Sequence, residues 1–300
     1  MKQSLLFTGS NGFLGKSIIP LLQKNYDIVA LDLQNADVNS NLALESPIID
    51  KNIDIVLHAA GKAHVVPKTE SEKQLFFDIN YQGTVNLCKT FEKSSNYPKS
   101  FIFISTVAVY GCDFGENITE EHPLNGNTPY ALSKIQAEQF LIDWCEKHNV
   151  VLSIIRPSLI AGPNPPGNLG SMIAGIKSGR YFSIAGGKAK KSVLMVQDIA
   201  NLVPLLTEKG GIYNLSDGYN PSFEELGILI ANQLGKKKPL SIPYWLAKSM
   251  AVCGDALGKK APINSDKLSK ITNSLTFSIE KAKTQLGWKP LHVLQCFKIE

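Results

Sequence analysis

The stretch Thr8-Gly9-Ser10-Asn11-Gly12-Phe13-Leu14-Gly15 constrains this chain more than any other. Residues 4–7 before it form a short apolar run that reads as a buried strand, and residues 17–22 after it are apolar at helical spacing. A strand, a glycine-rich turn and a helix together make a seat for a dinucleotide pyrophosphate. Glycines allow a tight turn and close approach of phosphate oxygens, while the free N–H groups at the helix start attract negative charge. The spacing is G-x-x-G-x-x-G rather than G-x-G-x-x-G, so an ordinary turn competes as a reading of the glycines alone. Asp32 weighs against it. Residues 28–32 form a second apolar strand that ends in a carboxylate at the distance expected of a ribose-binding acid.

Three hundred residues, 44% of them hydrophobic, can bury a full core and make one large domain or one and a half. The net charge of +5 is modest, and the lysines cluster only at 236–238 and 188–191. The first cluster reads as a solvated face, and nothing resembles the aromatic and basic platform of a nucleic-acid binder. Cysteines 88, 112, 145, 253 and 296 lie far apart without a C-x-x-C, which points to reduced thiols and away from a disulfide framework or a zinc site. No apolar run approaches membrane-spanning length, and the glycine loop comes too early for a signal peptide. The expectation is a soluble cytoplasmic protein with no nucleic-acid, membrane or metal partner.

Further along, buried strands and helices alternate. Asp37-Val38 follows the second strand, where an acid reaches an adenine amino group or ties a surface turn with equal plausibility. A short helix is expected over 42–45, ended by Ser46-Pro47. Residues 53–58 form the next strand and deliver the small residues Ala59, Ala60 and Gly61, against which a cofactor can lie; His58 reads as a core histidine. One long helix is expected over 72–91, with Asn80 and a buried Gly83 that lets it press on the sheet. Residues 100–104 are a strand running into Ser105-Thr106, two hydroxyls at a strand's carboxyl end, and 112–128 reads as a polar loop. Asn127 or Thr128 caps a helix with Pro129 in its first turn. Tyr130 and Lys134, four apart, share one face of it, where an ammonium and the helix's amino end favour a phenolate suited to acid–base work. Residues 150–155 are another buried strand ending at Arg156-Pro157, and 162–168 form a rigid loop. A strand and helix are expected over 192–206, and a returning strand at 213–215. The alternation predicts an α/β, Rossmann-like doubly wound parallel sheet.

Taken together and in order, Thr8-Gly9-x-x-Gly12-Phe13-Leu14-Gly15, Asp32, His58-Ala59-Ala60-Gly61, Asn80-x-x-Gly83-Thr84, Ser105-Thr106, Tyr130-x-x-x-Lys134, Arg156-Pro157 and Gly162-Pro163 resemble the extended short-chain dehydrogenase/reductase superfamily, and within it the nucleotide-sugar epimerase/dehydratase family. Leu286-Gly287-Trp288-Lys289-Pro290 matches as well. The resemblance implies that Tyr130 is the catalytic acid–base, that Lys134 holds the ribose and lowers the tyrosine's pKa, and that Thr106 hydrogen-bonds the reacting sugar oxygen. It implies Gly9, Asn11, Gly12, Phe13, Leu14 and Gly15 around the pyrophosphate and Asp32 on the adenosine ribose, hence NAD rather than NADP. Asp37 and Val38 would meet the adenine, Ala59, Ala60, Gly61 and Asn80 would line the cofactor, and Pro157 and Ser158 would flank the nicotinamide. His64, Asn168 and Lys191 fall at positions that contact a UDP- or dTDP-linked sugar, Lys188 and Lys190 being as readily a solvated cluster. A homodimer is expected.

Two departures bear on the reaction. Family dehydratases carry Asp-Glu directly after the threonine, where this chain has Val107-Ala108, which argues against a 4,6-dehydratase. Lys191 stands in place of the usual arginine, and the chain runs only ten residues past Pro290, so an abbreviated substrate lobe is expected. Its division is expected as an NAD-binding domain at 1–160 and 188–216 and a substrate lobe at 161–187 and 217–300. The leading expectation is an NAD-dependent C4 epimerase of a UDP-sugar. The stretch Gly61-Lys62-Ala63-His64-Val65-Val66 resembles bacterial enzymes that handle keto-deoxy amino sugars for surface polysaccharides, which keeps an NAD(P)H-dependent 4-keto reductase as the alternative. A non-catalytic dinucleotide sensor is the rival from another class; such sensors usually lose the tyrosine or lysine kept here.

Overall fold

Strands that are apolar on both faces need cover on both, and helices between them supply it. The computed structural model describes residues 2–257 and 263–299. Its strands are β1 (Ser4–Thr8), β2 (Asp27–Asp32), β3 (Val38–Asn39), β4 (Ile55–His58), β5 (Ser100–Ile104), β6 (Gly115–Ile118), β7 (Val151–Pro157), β8 (Leu159–Ala161), β9 (Ser183–Ile184), β10 (Val193–Met195), β11 (Gly211–Leu215), β12 (Ser241–Ile242) and β13 (Leu275–Phe277). Its α-helices are α1 (Phe13–Leu22), α2 (Glu70–Phe76), α3 (Gly83–Ser94), α4 (Pro129–His148), α5 (Gly167–Lys177), α6 (Val196–Lys209), α7 (Phe223–Gln233), α8 (Tyr244–Leu257), α9 (Ser265–Thr272), α10 (Glu280–Leu286) and α11 (Val293–Cys296).

Seven strands form one parallel sheet in the order β11-β7-β5-β4-β1-β2-β3. This is the doubly wound arrangement expected from the sequence. Ile18 and Leu22 of α1 and Ile199, Leu202 and Leu206 of α6 cover one face. Leu87 and Phe91 of α3 and Leu141 and Trp144 of α4 cover the other. Strand order reverses between β1 and β4, which opens a crevice at their carboxyl ends, at Gly9 and Ala59. Three two-stranded sheets, β8 with β10, β9 with β12 and β6 with β13, build the rest of the molecule together with α5, α7, α8, α9 and α11.

Several local expectations are corrected. Residues 42–45 make a single hydrogen-bonded turn from Asn41, too short to continue before Pro47. The long helix begins at Glu70, two residues earlier than expected because Thr69 caps it, and runs on to Ser94 with a π-helical turn at Phe77–Gln82. Gly83 is not needed to press the helix on the sheet; a Cβ there would meet Leu42 at 3.5 Å, an ordinary contact. The loop at 112–128 contains β6, whose partner β13 lies about 160 residues away and left no local signal. Residues 279–288, expected in the substrate lobe, place Ile279, Ala282, Leu286 and Trp288 in the core beside α6. The chain also closes with helix after Pro290: α11 buries Val293, and Phe297 follows it into the core. Parts of the expected lobe at 258–262 and 300 lie outside the described residues.

Candidate active site

The turn after β1 requires glycine for steric reasons. Gly9 has φ +75°, and a Cβ there would sit 2.8 Å from Ala60. A Cβ at Gly15 would sit 2.1 Å from the Ser10 carbonyl. Helix α1 starts with no side-chain cap and no acid in its first turn, so its first amides and its dipole remain available to an anion. The Asp32 carboxylate accepts the Asn11 amide at 2.7 Å and the Leu33 amide at 2.7 Å, which fixes it against the glycine loop. Asp37 accepts the Ala30 amide at 2.8 Å, which fixes it beside β2, and Val38 pairs with Leu31 in β3.

His58 is fully buried, with Nδ1 2.6 Å from the Thr8 hydroxyl and Nε2 2.9 Å from that of Thr84. Burial, and then the Lys134 charge, pushes its pKa down to about 3, so it is a neutral brace. Asn80 is equally buried. Its side chain accepts the Lys62 amide at 2.6 Å and donates to the Lys62 carbonyl at 3.1 Å and the Ser133 hydroxyl at 2.9 Å. The residue thus clamps the 61–62 loop to α4 and positions what lies there. π-Helical turns recur at functional sites, and this one places Asn80.

Thr128 caps α4 by accepting the Ala131 amide, and the helix carries Tyr130 and Lys134 into the crevice. Lys134 is 4% exposed; Nζ donates to the Ile104 carbonyl at 2.7 Å and lies 4.4 Å from the Phe103 ring centre. Burial lowers its pKa to about 8, with Glu138 pulling the other way. The Tyr130 ring packs edge-on to Phe76. Burial raises its hydroxyl above the usual phenol range, and a hydrogen bond with Thr106 draws it back. The lowered tyrosine pKa expected from the sequence is therefore not found in the protein alone, because desolvation outweighs that bond. Of the two hydroxyls after β5, Ser105 is committed to Glu138, and Thr106 is the one that meets Tyr130.

Behind these groups lies a network that sequence reasoning missed. Arg156 and Glu138 form a bidentate buried pair, Nε to Oε1 at 3.1 Å and Nη2 to Oε2 at 2.6 Å. Arg156 also donates to the Tyr110 hydroxyl at 3.0 Å, which donates to Asn214 at 2.7 Å. The network joins α4, β7 and β11 beneath the site. One signal was present: Glu138 stands four residues after Lys134, on the same helix face.

A first cavity is lined by Gly9, Gly12, Phe13, Leu14, Ala59, Gly61, His64, Thr106, Tyr130, Lys134, Pro157 and Ser158. A second, of about 640 Å³, shares Ser158 and Leu159 with it and reaches Asn168 and Lys191. Lys191 Nζ donates to the Asn273 carbonyl at 3.1 Å, and burial lowers its pKa. Lys188 and Lys190 are exposed, as a solvated pair would be. The second cavity also holds Asp113, Tyr181, Phe223, Lys267 and Lys270, none of them anticipated. Lys267 and Lys270, one turn apart on α9, were the legible part of that set. Among the described residues no cluster of His, Cys, Asp or Glu could hold a metal ion.

A glycine turn at a switch point, an acid at the end of the neighbouring strand and a Tyr/Lys pair opposite define a dinucleotide-binding α/β enzyme. The model of the NAD dependent epimerase/dehydratase family matches residues 5–216. The chain is 30% identical to a UDP-glucose 4-epimerase of Vibrio cholerae, over 98% of this chain and 93% of that protein. It is also 30% identical to the N-acetyl-alpha-D-glucosaminyl-diphospho-ditrans,octacis-undecaprenol 4-epimerase of Escherichia coli O157:H7, over 94% and 89%. The solved UDP-glucose 4-epimerase of Thermotoga maritima, with UDP-glucose, shares the fold at a TM-score of 0.73 and 21% identity, covering 98% of this chain and 96% of that one. The chain belongs to the NAD-dependent epimerase/dehydratase family, as its motifs implied. It is an enzyme, and NAD is its cofactor.

Proposed function

We propose that the protein is a cytoplasmic, homodimeric C4 epimerase of a UDP-sugar that serves surface-polysaccharide synthesis. The observation that carries this reading is the wall that the two cavities share at Ser158 and Leu159, with Tyr130 and Thr106 in the first and lysines in the second. The names of both relatives describe a sugar carried on a diphosphate or nucleoside diphosphate, and Lys191 supplies a cation for such a group, with Lys270 beside it paired to Asp113 and Asp266.

In this reading Gly9, Asn11, Gly12, Phe13, Leu14 and Gly15 hold the pyrophosphate and Asp32 the adenosine ribose, with Asp37 and Val38 near the adenine. Ala59, Ala60, Gly61, Pro157 and Ser158 line the nicotinamide side, Asn80 positions that wall, and His64, Asn168 and Lys191 contact the substrate. NAD, when bound, supplies reversible acceptance of hydride from the sugar carbon. Tyr130 takes the proton from the C4 hydroxyl and later returns it, Thr106 orients that oxygen, and Lys134 holds positive charge beside both. Room for the 4-keto sugar to turn over comes from the second cavity.

The test is to mix the purified protein with a UDP-hexose and follow both the sugar and the absorbance of NADH. An epimerase carries NAD as purified and interconverts the C4 epimers with no net change in NADH. Stoichiometric consumption of NADH by a 4-keto sugar, without interconversion of hydroxy sugars, would instead establish the reductase.

Cofactor choice is a separate expected result. Asp32 is pinned by two amides, so a 2′-phosphate would face a fixed, unpaired carboxylate. NAD should bind more tightly than NADP in a direct titration; the reverse order would remove Asp32 from the ribose site.

A further inference from the structure

Helix α8 packs inward through its smallest residues. Ala247, Ala251 and Gly254 are buried, the two alanines against Ile184 and Leu268. The large apolar side chains point elsewhere: Trp245 is 69% exposed and Val252 58%, and Tyr244, Leu246 and Met250 are exposed too. At 100° per residue, Trp245, Ser249, Val252 and Ala256 form one stripe opposite the buried one, flanked by Leu246 and Cys253. Leu240, just before the helix, adds another uncovered apolar side chain. A contiguous apolar face of this kind marks an interaction site, and no described residue covers it.

Charge identifies what does. Residues 236–260 contain six lysines and one aspartate, a surplus equal to the +5 of the whole chain. The other 275 residues carry 25 charges of each sign, so the entire net charge falls in this one stretch of sequence, with Lys236, Lys237, Lys238 and Lys248 in or just before the helix. An apolar stripe, a Tyr-Trp pair at its start and lysines around it are the makings of a helix that lies in the headgroup region of an anionic bilayer. No helix among the described residues is long and apolar enough to cross a membrane, and an in-plane helix does not need to be. The sequence expectation of no membrane partner rested on spans alone.

We propose that the outer face of α8, with Leu240 and the lysines at 236, 237 and 248, docks on the surface of an anionic lipid bilayer. Ile184, which packs against Ala247 and Ala251, also lines the second cavity. Docking therefore sets that cavity one residue layer from the lipid surface.

The test uses the full chain and vesicles of phosphatidylglycerol with phosphatidylethanolamine, against phosphatidylcholine alone. Trp144 and Trp288 are buried, so Trp245 is the one exposed indole and reports on docking directly. The protein should float with the anionic vesicles and not with the neutral ones, with a blue shift of tryptophan emission and release at high salt. The Trp245→Ser/Val252→Ser double variant should bind at least about tenfold more weakly, having lost two large apolar side chains from the contact. Its thermal midpoint and NAD affinity should stay unchanged. Absence of flotation, or equal binding by the double variant, overturns the proposal. So does lipid-independent self-association that the double variant abolishes, which would assign the face to a second copy of the chain.

Discussion

Replacing Tyr130 by phenylalanine is expected to lower turnover about 10²- to 10⁴-fold, the range a positioned general acid–base supplies. The ring would keep its edge contact with Phe76, and Lys134 would keep its bond to the Ile104 carbonyl, so the crevice should hold its shape. NAD affinity should therefore change little, which separates loss of the proton carrier from loss of the site. Burial already raises the Tyr130 hydroxyl, and only Thr106 opposes this in the protein alone. Removing that bond in Thr106→Val should depress turnover as well, again without loss of NAD. Full turnover by Tyr130→Phe on a substrate that the wild type converts would remove the tyrosine from the chemistry.

Glu138→Ala is the substitution expected to cost the fold most. It leaves the Arg156 guanidinium, 3% exposed, with the Tyr110 hydroxyl but no counter-charge. Breaking a buried ion pair from one side costs about 3–5 kcal/mol. At this chain length the thermal midpoint should fall by about 10 °C. Replacing both partners, as Glu138→Leu/Arg156→Met, should cost less than Glu138→Ala, because no charge is then left stranded. Calorimetry on the two variants checks the order. A double replacement worse than the single one would mean that the network matters through shape rather than charge.

The positions of these residues show where sequence reasoning reached its end. The glycine turn, Asp32, the Tyr130/Lys134 pair and six of the seven strands of the main sheet were legible because each rests on a short-range requirement. Gly15 has no alternative when a Cβ would lie 2.1 Å from a carbonyl oxygen, and a helix puts residues four apart on one face whatever surrounds it. The family follows from such local features in order. What could not be read were pairings across long stretches of chain. β6 finds β13, Lys191 meets Asn273, and Asp113, Lys267 and Lys270 converge on one cavity. None of these has a periodicity of its own.

The same division holds for residues that were noticed but given a different part. Asn80 and Ser105 stood in the right motifs, yet the tertiary structure spends their polar groups on bracing. The Tyr130 pKa depends on how much water and which charges surround the hydroxyl, and that is a property of the packed site. Residues 279–288 left the lobe they were assigned to because their apolar side chains fit against α6. The amino-acid sequence by itself determined the strand–turn–helix seat, the parallel sheet and the acid–base pair, since backbone sterics and helical spacing act over a few residues. Only the tertiary structure decided which polar groups face the crevice, which are consumed beneath it, and which apolar face remains uncovered on α8, because burial and charge pairing are settled between distant segments.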